Sequence, residues 1–245
     1  MKTLVYDIEC APNLSYVWDH YETNVIKHVE EWYVLCVAYM WLDDTSPDCV
    51  ALPEFNSEKD MLAVVWELLN AADIVVAHNG NKFDMRKLNA RFLQLGMKPP
   101  SPVQQIDTLR VARSKFKFNQ NGLDPLGQHL GLGSKAKHQG FELWERCMND
   151  EYDEVAWRKM VRYAKRDVVL LKKLYLQLRP WIDNHPNVMV ERGGHGCPAC
   201  GSDKLQSRGK ARTKTMTYRR WQCQKCGKWS RSRLAEKTLD RPEQV

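Results

Sequence analysis

The sequence predicts an α/β domain followed by a small β unit held together at its C-terminal end. Three observations carry this. In the first half of the 245 residues, short apolar runs rich in β-branched and aromatic residues alternate with amphipathic segments. A later stretch, 151–182, repeats its apolar residues near helical spacing. Beyond residue 191 the chain turns basic and carries two C-x-x-C pairs.

Taken in order, residues 3–9 (TLVYDIE) read as a buried strand that ends in acids. Residues 33–41 and 49–53 supply two further strands. Residues 57–71 read as a helix, with Ser57 as N-cap and Glu58 and Asp60 in its first turn. A short apolar strand over 73–77 precedes a helix over 84–95, whose Leu88, Phe92 and Leu95 share one face; Pro99, Pro100 and Pro102 stop it. Residues 104–107 make a last strand, and Asp107, just before Thr108-Leu109, reads as a helix N-cap. From 122 onward the pattern is helical. In 151–182 the apolar positions are Val155, Met160, Val161, Val168, Leu171, Leu174, Tyr175 and Leu178. Asn184–Asn187 and Gly193-Gly194 mark a linker. The expected domains are 1–185 and 191–235, with 236–245 as a tail.

Charge separates the two parts. Of 37 Lys and Arg, 14 fall in 191–245, against 5 of the 30 Asp and Glu; that segment is +9 and residues 1–190 are −2, within a total of +7. A basic tail with aromatics suits a polyanion. No apolar run reaches the roughly 18 residues a membrane span needs, so no membrane partner is expected. The opening MKTLVYDIEC enters strand-like sequence at once and carries acids, unlike a secretory signal. Cys10, Cys36, Cys49 and Cys147 are scattered singly, as thiols of a reducing compartment are. A cytoplasmic location is expected.

Acids recur at three places. Asp7 and Glu9 stand two apart, so a strand points both to one face, where they repel unless a cation sits between them. Asp84 closes His78-Asn79-Gly80-Asn81-Lys82-Phe83-Asp84, between an apolar strand and a helix. Asp167 lies one helical turn beyond Tyr163. As isolated features these are a solvated strand end, a helix cap and a core tyrosine.

Together the three stretches resemble the DEDD (DnaQ-like) 3′→5′ exonuclease superfamily over about residues 1–182. Tyr6-Asp7-Ile8-Glu9-Cys10 is similar to its D-x-E motif, in the form of family B polymerase proofreading domains. Asn79 with Phe83-Asp84 is similar to N-x-x-x-F-D, and Tyr163-x-x-x-Asp167 to the tyrosine subclass (DEDDy). The histidine subclass does not fit, because position 162 is Arg. The resemblance implies a ribonuclease H-like mixed sheet flanked by helices and two Mg²⁺ or Mn²⁺ ions. It implies that Asp7 bridges both ions, that Glu9 and Asp167 complete the site that activates water, and that Asp84 holds the second ion. Tyr163 would orient the water, and Asn79 or the backbone at Gly80 would touch the substrate strand. Cys10 departs from the Thr of many relatives, and 122–150, with Trp144, is an insertion that would shape the substrate channel. Lys137 and His138 are candidate phosphate contacts.

Cys197-x-x-Cys200 and Cys223-x-x-Cys226 are 22 residues apart, each pair followed by glycine. Four thiolates so spaced fit one structural Zn²⁺, with His195 as a rival ligand. The tail resembles the zinc ribbons of transposases and phage nucleic-acid proteins. Arg208, Lys210, Arg212 and Lys214 alternate, which would put all four on one face of a strand; Arg219 and Arg220 come next. These six are the expected nucleic-acid contacts, with Trp221 as packing over the zinc site.

The function expected is 3′→5′ hydrolysis of single-stranded or frayed DNA to nucleoside 5′-monophosphates. A small stand-alone enzyme of this layout suggests a phage or mobile-element origin. The alternatives are an exoribonuclease, a structure-selective endonuclease of the same fold, or a non-catalytic zinc-ribbon protein that binds nucleic acid.

Overall fold

The computed structural model describes residues 1–135, 140–149 and 151–238. It divides into two compact units, residues 2–175 and residues 176 onward with Met1.

The first unit is built on a mixed sheet. β1 (Thr3–Cys10) leads into a hairpin of β2 (Leu14–Tyr16) and β3 (Lys27–Glu30), then β4 (Val34–Trp41) and β5 (Asp48–Ala51). A 3₁₀ turn (Leu52–Glu54) enters α1 (Glu58–Asn70); β6 (Ile74–Ala77), α2 (Asp84–Gln94), β7 (Gln104–Asp107) and α3 (Thr108–Lys115) come after it. The main sheet has the order β5-β4-β1-β6-β7. β1 runs antiparallel to β4 and parallel to β6. It is an interior strand covered on both faces, which explains its nearly unbroken apolar run, Leu4, Val5, Tyr6 and Ile8.

Leu4, Tyr6 and Ile8 point to the layer where α1 and α2 pack, with Met61, Leu62, Val65, Leu69, Leu88 and Phe92. Burying each such side chain contributes about 1.5–3 kcal/mol. Ser57 caps α1 as expected: its Oγ accepts the Asp60 N–H at 3.2 Å. By strand parity Asp7 and Glu9 point to the opposite layer.

Past residue 122 the chain is less continuously helical than its pattern predicts. α4 (Leu123–His129) and α5 (Glu142–Met148) are short, and Gly131 and Gly133 between them adopt positive φ. Lys137 and His138 lie outside the described residues. α6 (Glu154–Leu178) buries Met160, Ala164, Val168, Leu171, Leu174 and Tyr175. Asp167 belongs to this stripe and is fully buried. Val155, placed on the apolar face by spacing, is instead 46 % exposed in the first turn. The β2–β3 hairpin has no counterpart in the apolar pattern of the sequence. Its strands bury nothing fully, and Trp18 and Tyr21 stand in solvent.

In the second unit a 3₁₀ turn (Arg179–Trp181) and the one-turn α7 (Met189–Arg192) precede a small sheet. β9 (Met216–Cys223) is central; β8 (Leu205–Arg212) pairs with it antiparallel, as do β10 (Trp229–Arg231) and β11 (Lys237–Thr238). Among the described residues no helix is long and apolar enough to cross a membrane.

The expected single face of cations is corrected here. The β8–β9 register shifts between Ser207 and Lys210, so Arg208 and Gly209 together oppose one β9 residue. Gly209 has φ +71°, a conformation that other residues resist, and it makes the bulge possible. One extra residue reverses the alternation. Arg208 shares a face with Arg220, whereas Lys210 and Arg212 share the other with Arg219. Lys214 lies in the turn beyond the strand.

Candidate active site and metal centre

β1 ends between β4 and β6, with Asp7 opposite Ala38 and Glu9 opposite Cys36. α6 brings Asp167 to the same place. One oxygen from each of Asp7, Glu9 and Asp167 lies within 4.8 Å of the others. Asp84 opens α2 beside them as the helix's first residue, not as its N-cap. It is 2 % exposed and accepts the Ile8 N–H at 3.3 Å. Asp84 is not in the tight group of three, but among the neighbouring charges it raises the Asp7 carboxyl most.

The loop that delivers Asp84 is shaped by two unusual positions. Asn79 holds φ +70°. A Cβ on Gly80 would meet the Ala77 Cβ at 2.4 Å, so only glycine fits there. Asp107 fixes the loop from β7: its Oδ1 accepts the Asn79 N–H at 2.9 Å and caps α3 through Leu109 and Arg110. Its capping role was legible in the sequence; its grip on Asn79 was not, because 28 residues separate them. Asp107→Ala strands these backbone donors. We expect it to cost about 2–4 kcal/mol, read as a lower midpoint in urea unfolding.

Lys135 is the site residue that the acid spacing did not single out. Its Nζ stands 2.5 Å from Asp167 Oδ2 and donates to the Tyr163 hydroxyl at 3.2 Å. Its signal in the sequence is slight: it stands just ahead of Lys137 and His138, the candidate phosphate contacts. Tyr163 is buried and meets the Trp144 ring edge-on, with centroids 6.0 Å apart. Burial, reinforced by Asp167 and Glu9, holds its hydroxyl above the usual phenol range, so it stays protonated.

One ammonium faces several carboxylates, and the imbalance shows in their proton affinities. Burial pushes Glu9 up to about 8, with Lys135 opposing. Burial also lifts Asp84 to about 6 against the pull of two backbone N–H groups. Asp7 and Asp167 are raised by burial as well. Buried acids that repel one another, with one oxygen of each of Asp7, Glu9 and Asp167 converging within reach of one point, fit divalent cations with oxygen preference.

This sets the sign of a pH effect. Between the ordinary carboxyl value and the raised one, the folded protein holds protons that the unfolded chain has released, so stability falls as pH rises. For Glu9 the window runs from the ordinary 4.5 to about 8. Without added divalent metal, Tm should drop by several degrees from pH 5 to pH 8.5, and Mg²⁺ or Mn²⁺ should reverse the drop at the upper end. A Tm that climbs over this interval contradicts the arrangement.

In the second unit Cys197, Cys200, Cys223 and Cys226 form one cluster, without His195. Cys197 Sγ is 3.6 Å from Cys226 Sγ, and Cys200 Sγ is 3.7 Å from Cys223 Sγ. Sulfurs at tetrahedral corners around an ion about 2.3 Å away stand roughly 3.8 Å apart, so the cluster has the dimensions of a Zn²⁺ site. Ala199 and Leu205 pack on it. Trp221 does not; its indole N–H reaches Ser232 Oγ at 3.2 Å.

A profile of the RNase_H superfamily matches residues 17–179, and the chain belongs to that superfamily. The match begins after Asp7 and Glu9. Among solved structures, the family B DNA polymerase from the hyperthermophilic archaeon Pyrobaculum calidifontis is similar, with a TM-score of 0.54 and 17 % identity. The alignment covers 74 % of this chain and 25 % of the polymerase, so the chain spans about a quarter of that protein's length. No curated protein matches the sequence. The mixed sheet flanked by helices is therefore a ribonuclease H-like fold.

Proposed function

We propose that the chain is a metal-dependent 3′→5′ exonuclease acting on single-stranded or frayed DNA and releasing nucleoside 5′-monophosphates. The observation that carries this reading is the convergence of Asp7, Glu9 and Asp167 within 4.8 Å, with Asp84 alongside. Two Mg²⁺ or Mn²⁺ ions held by these four carboxylates would supply an activated water and offset charge on the leaving oxygen.

The chain's own groups do the rest. Asp7 and Glu9 present paired oxygens from a rigid interior strand. The Tyr163 hydroxyl, kept protonated, orients the water by hydrogen bond instead of removing its proton. Lys135 acts as counter-charge to Asp167 and donates a hydrogen bond to the neutral Tyr163 hydroxyl. Asn79, turned by its left-handed backbone, contacts the substrate strand. The catalytic domain is taken as 1–185 and the zinc-ribbon domain as 191–235, the ribbon holding one structural Zn²⁺ and contributing basic contacts to nucleic acid. A cytoplasmic, phage-encoded enzyme suits this layout.

Matched DNA and RNA oligomers labelled at the 3′ or the 5′ end, with and without Mg²⁺ or Mn²⁺, test the proposal. A metal-dependent ladder of shortening 5′-labelled DNA is expected. Faster decay of the RNA would make it an exoribonuclease, internal cuts an endonuclease, and no decay in either metal would defeat the reading.

A further inference from the structure

The bulge at Arg208–Gly209 does more than interrupt β8: it sorts the ribbon's cations into two unlike groups. On one face, Glu236 receives Lys210 Nζ at 3.3 Å and Arg219 Nε at 2.9 Å. That face is partly neutralised from within. On the other, Arg220 of β9 lies directly opposite Arg231 of β10, and Arg208 adjoins Arg220 across the bulge. Among the described residues none of these three arginines has an acidic partner. Like charges placed opposite each other across strands destabilise a sheet unless an anion joins them.

The same face is aromatic. The Arg231 guanidinium lies 3.9 Å over the Tyr218 ring, and that of Arg220 4.8 Å over Trp229. Arg220 is also pinned, its Nε donating to the Arg208 carbonyl at 3.0 Å. Trp229 is 44 % exposed. Flat cations on flat rings, held rigid and open to solvent, leave planar surfaces on which unpaired bases stack while guanidinium edges meet phosphates. A duplex offers phosphates but hides its base faces.

We infer that single-stranded nucleic acid docks on the Arg208–Tyr218–Arg220–Trp229–Arg231 face of the ribbon, and not on the face of Lys210, Arg212 and Arg219. This rests on the reading that the basic ribbon binds nucleic acid, and it reassigns the contacts that simple alternation predicted. Arg219, Lys210 and Arg212 are then structural or solvated, and Arg231, Tyr218 and Trp229 join the interface.

The test compares two double variants of equal charge change in full-length protein carrying Asp7→Ala to prevent degradation. Binding of a fluorescein-labelled oligothymidylate is followed by anisotropy over a range of salt. Arg220→Ala with Arg231→Ala should weaken binding roughly tenfold and flatten the salt slope by about 1.4, the value for two lost phosphate contacts on a single strand. Trp229→Ala should weaken it several-fold with the slope unchanged, since stacking releases no counterions. Lys210→Ala with Arg219→Ala should change affinity less than about twofold. Bound zinc, assayed in every variant, reports that the ribbon is intact. Equal losses from the two pairs, or a larger loss from Lys210 and Arg219, overturn the assignment while leaving nucleic-acid binding standing. A parent that does not bind the oligomer removes the underlying reading instead.

Discussion

Asp7→Ala should reduce Mg²⁺-dependent degradation of labelled DNA by roughly 10³-fold or more, since shared charge stabilisation of several kcal/mol is lost and each 1.36 kcal/mol is tenfold. Oligomer affinity should stay within about threefold, because phosphate contacts, not this acid, dominate binding. The variant also carries an internal control. Asp84 and Glu9 are the neighbouring charges that most raise Asp7, so deleting the Asp7 carboxylate relieves repulsion among buried acids. The metal-free variant should melt at or above the parent's temperature at pH 8. Loss of activity with an unchanged or higher Tm marks a catalytic residue; loss of both marks a damaged fold. A variant that degrades DNA at the parental rate removes the active-site assignment.

Zinc removal should have the second large effect. Among the described residues, the buried cluster around the small sheet consists of the four thiols with Ala199 and Leu205 against them. Such a unit cannot offset chain entropy by burial, and a structural Zn²⁺ contributes apparent binding energy on the order of 10–16 kcal/mol. Cys223→Ser, or a strong chelator acting on the parent, should therefore unfold the ribbon. The measurements are the loss of one equivalent of zinc and rapid proteolysis within 205–231. Oligomer binding should fall with it. If the ribbon resists protease after losing all its zinc, the metal is not what holds it.

Much of this was legible in the amino-acid order because the chemistry is periodic. Asp7 and Glu9 fall on one side of β1 by the two-residue repeat, and Tyr163 and Asp167 on one side of α6 by the four-residue one. Ser57 and Asp107 announce helix starts through side chains that cap locally. The spacing of the four cysteines announced that they would cluster. What periodicity could not supply was contact across long separations. Lys135 approaches Asp167 from a loop, and Asp107 reaches Asn79 from another strand; neither pairing is marked in the segments that make it. The β2–β3 hairpin was invisible for another reason. Its strands are exposed, so no alternation of burial is written into them. Alternation misled in β8 because a single glycine shifts the phase, and a pattern counted through Gly209 continues as though nothing had happened.

The acids of β1 share a strand with the residues that fill the apolar layer, Leu4, Tyr6 and Ile8 on one side and Asp7 and Glu9 on the other. A slip of one residue during pairing would exchange the two sets, driving carboxylates into hydrocarbon and leaving the acidic pocket lined with apolar groups. One register of β1 therefore serves both the apolar core and the proposed metal site.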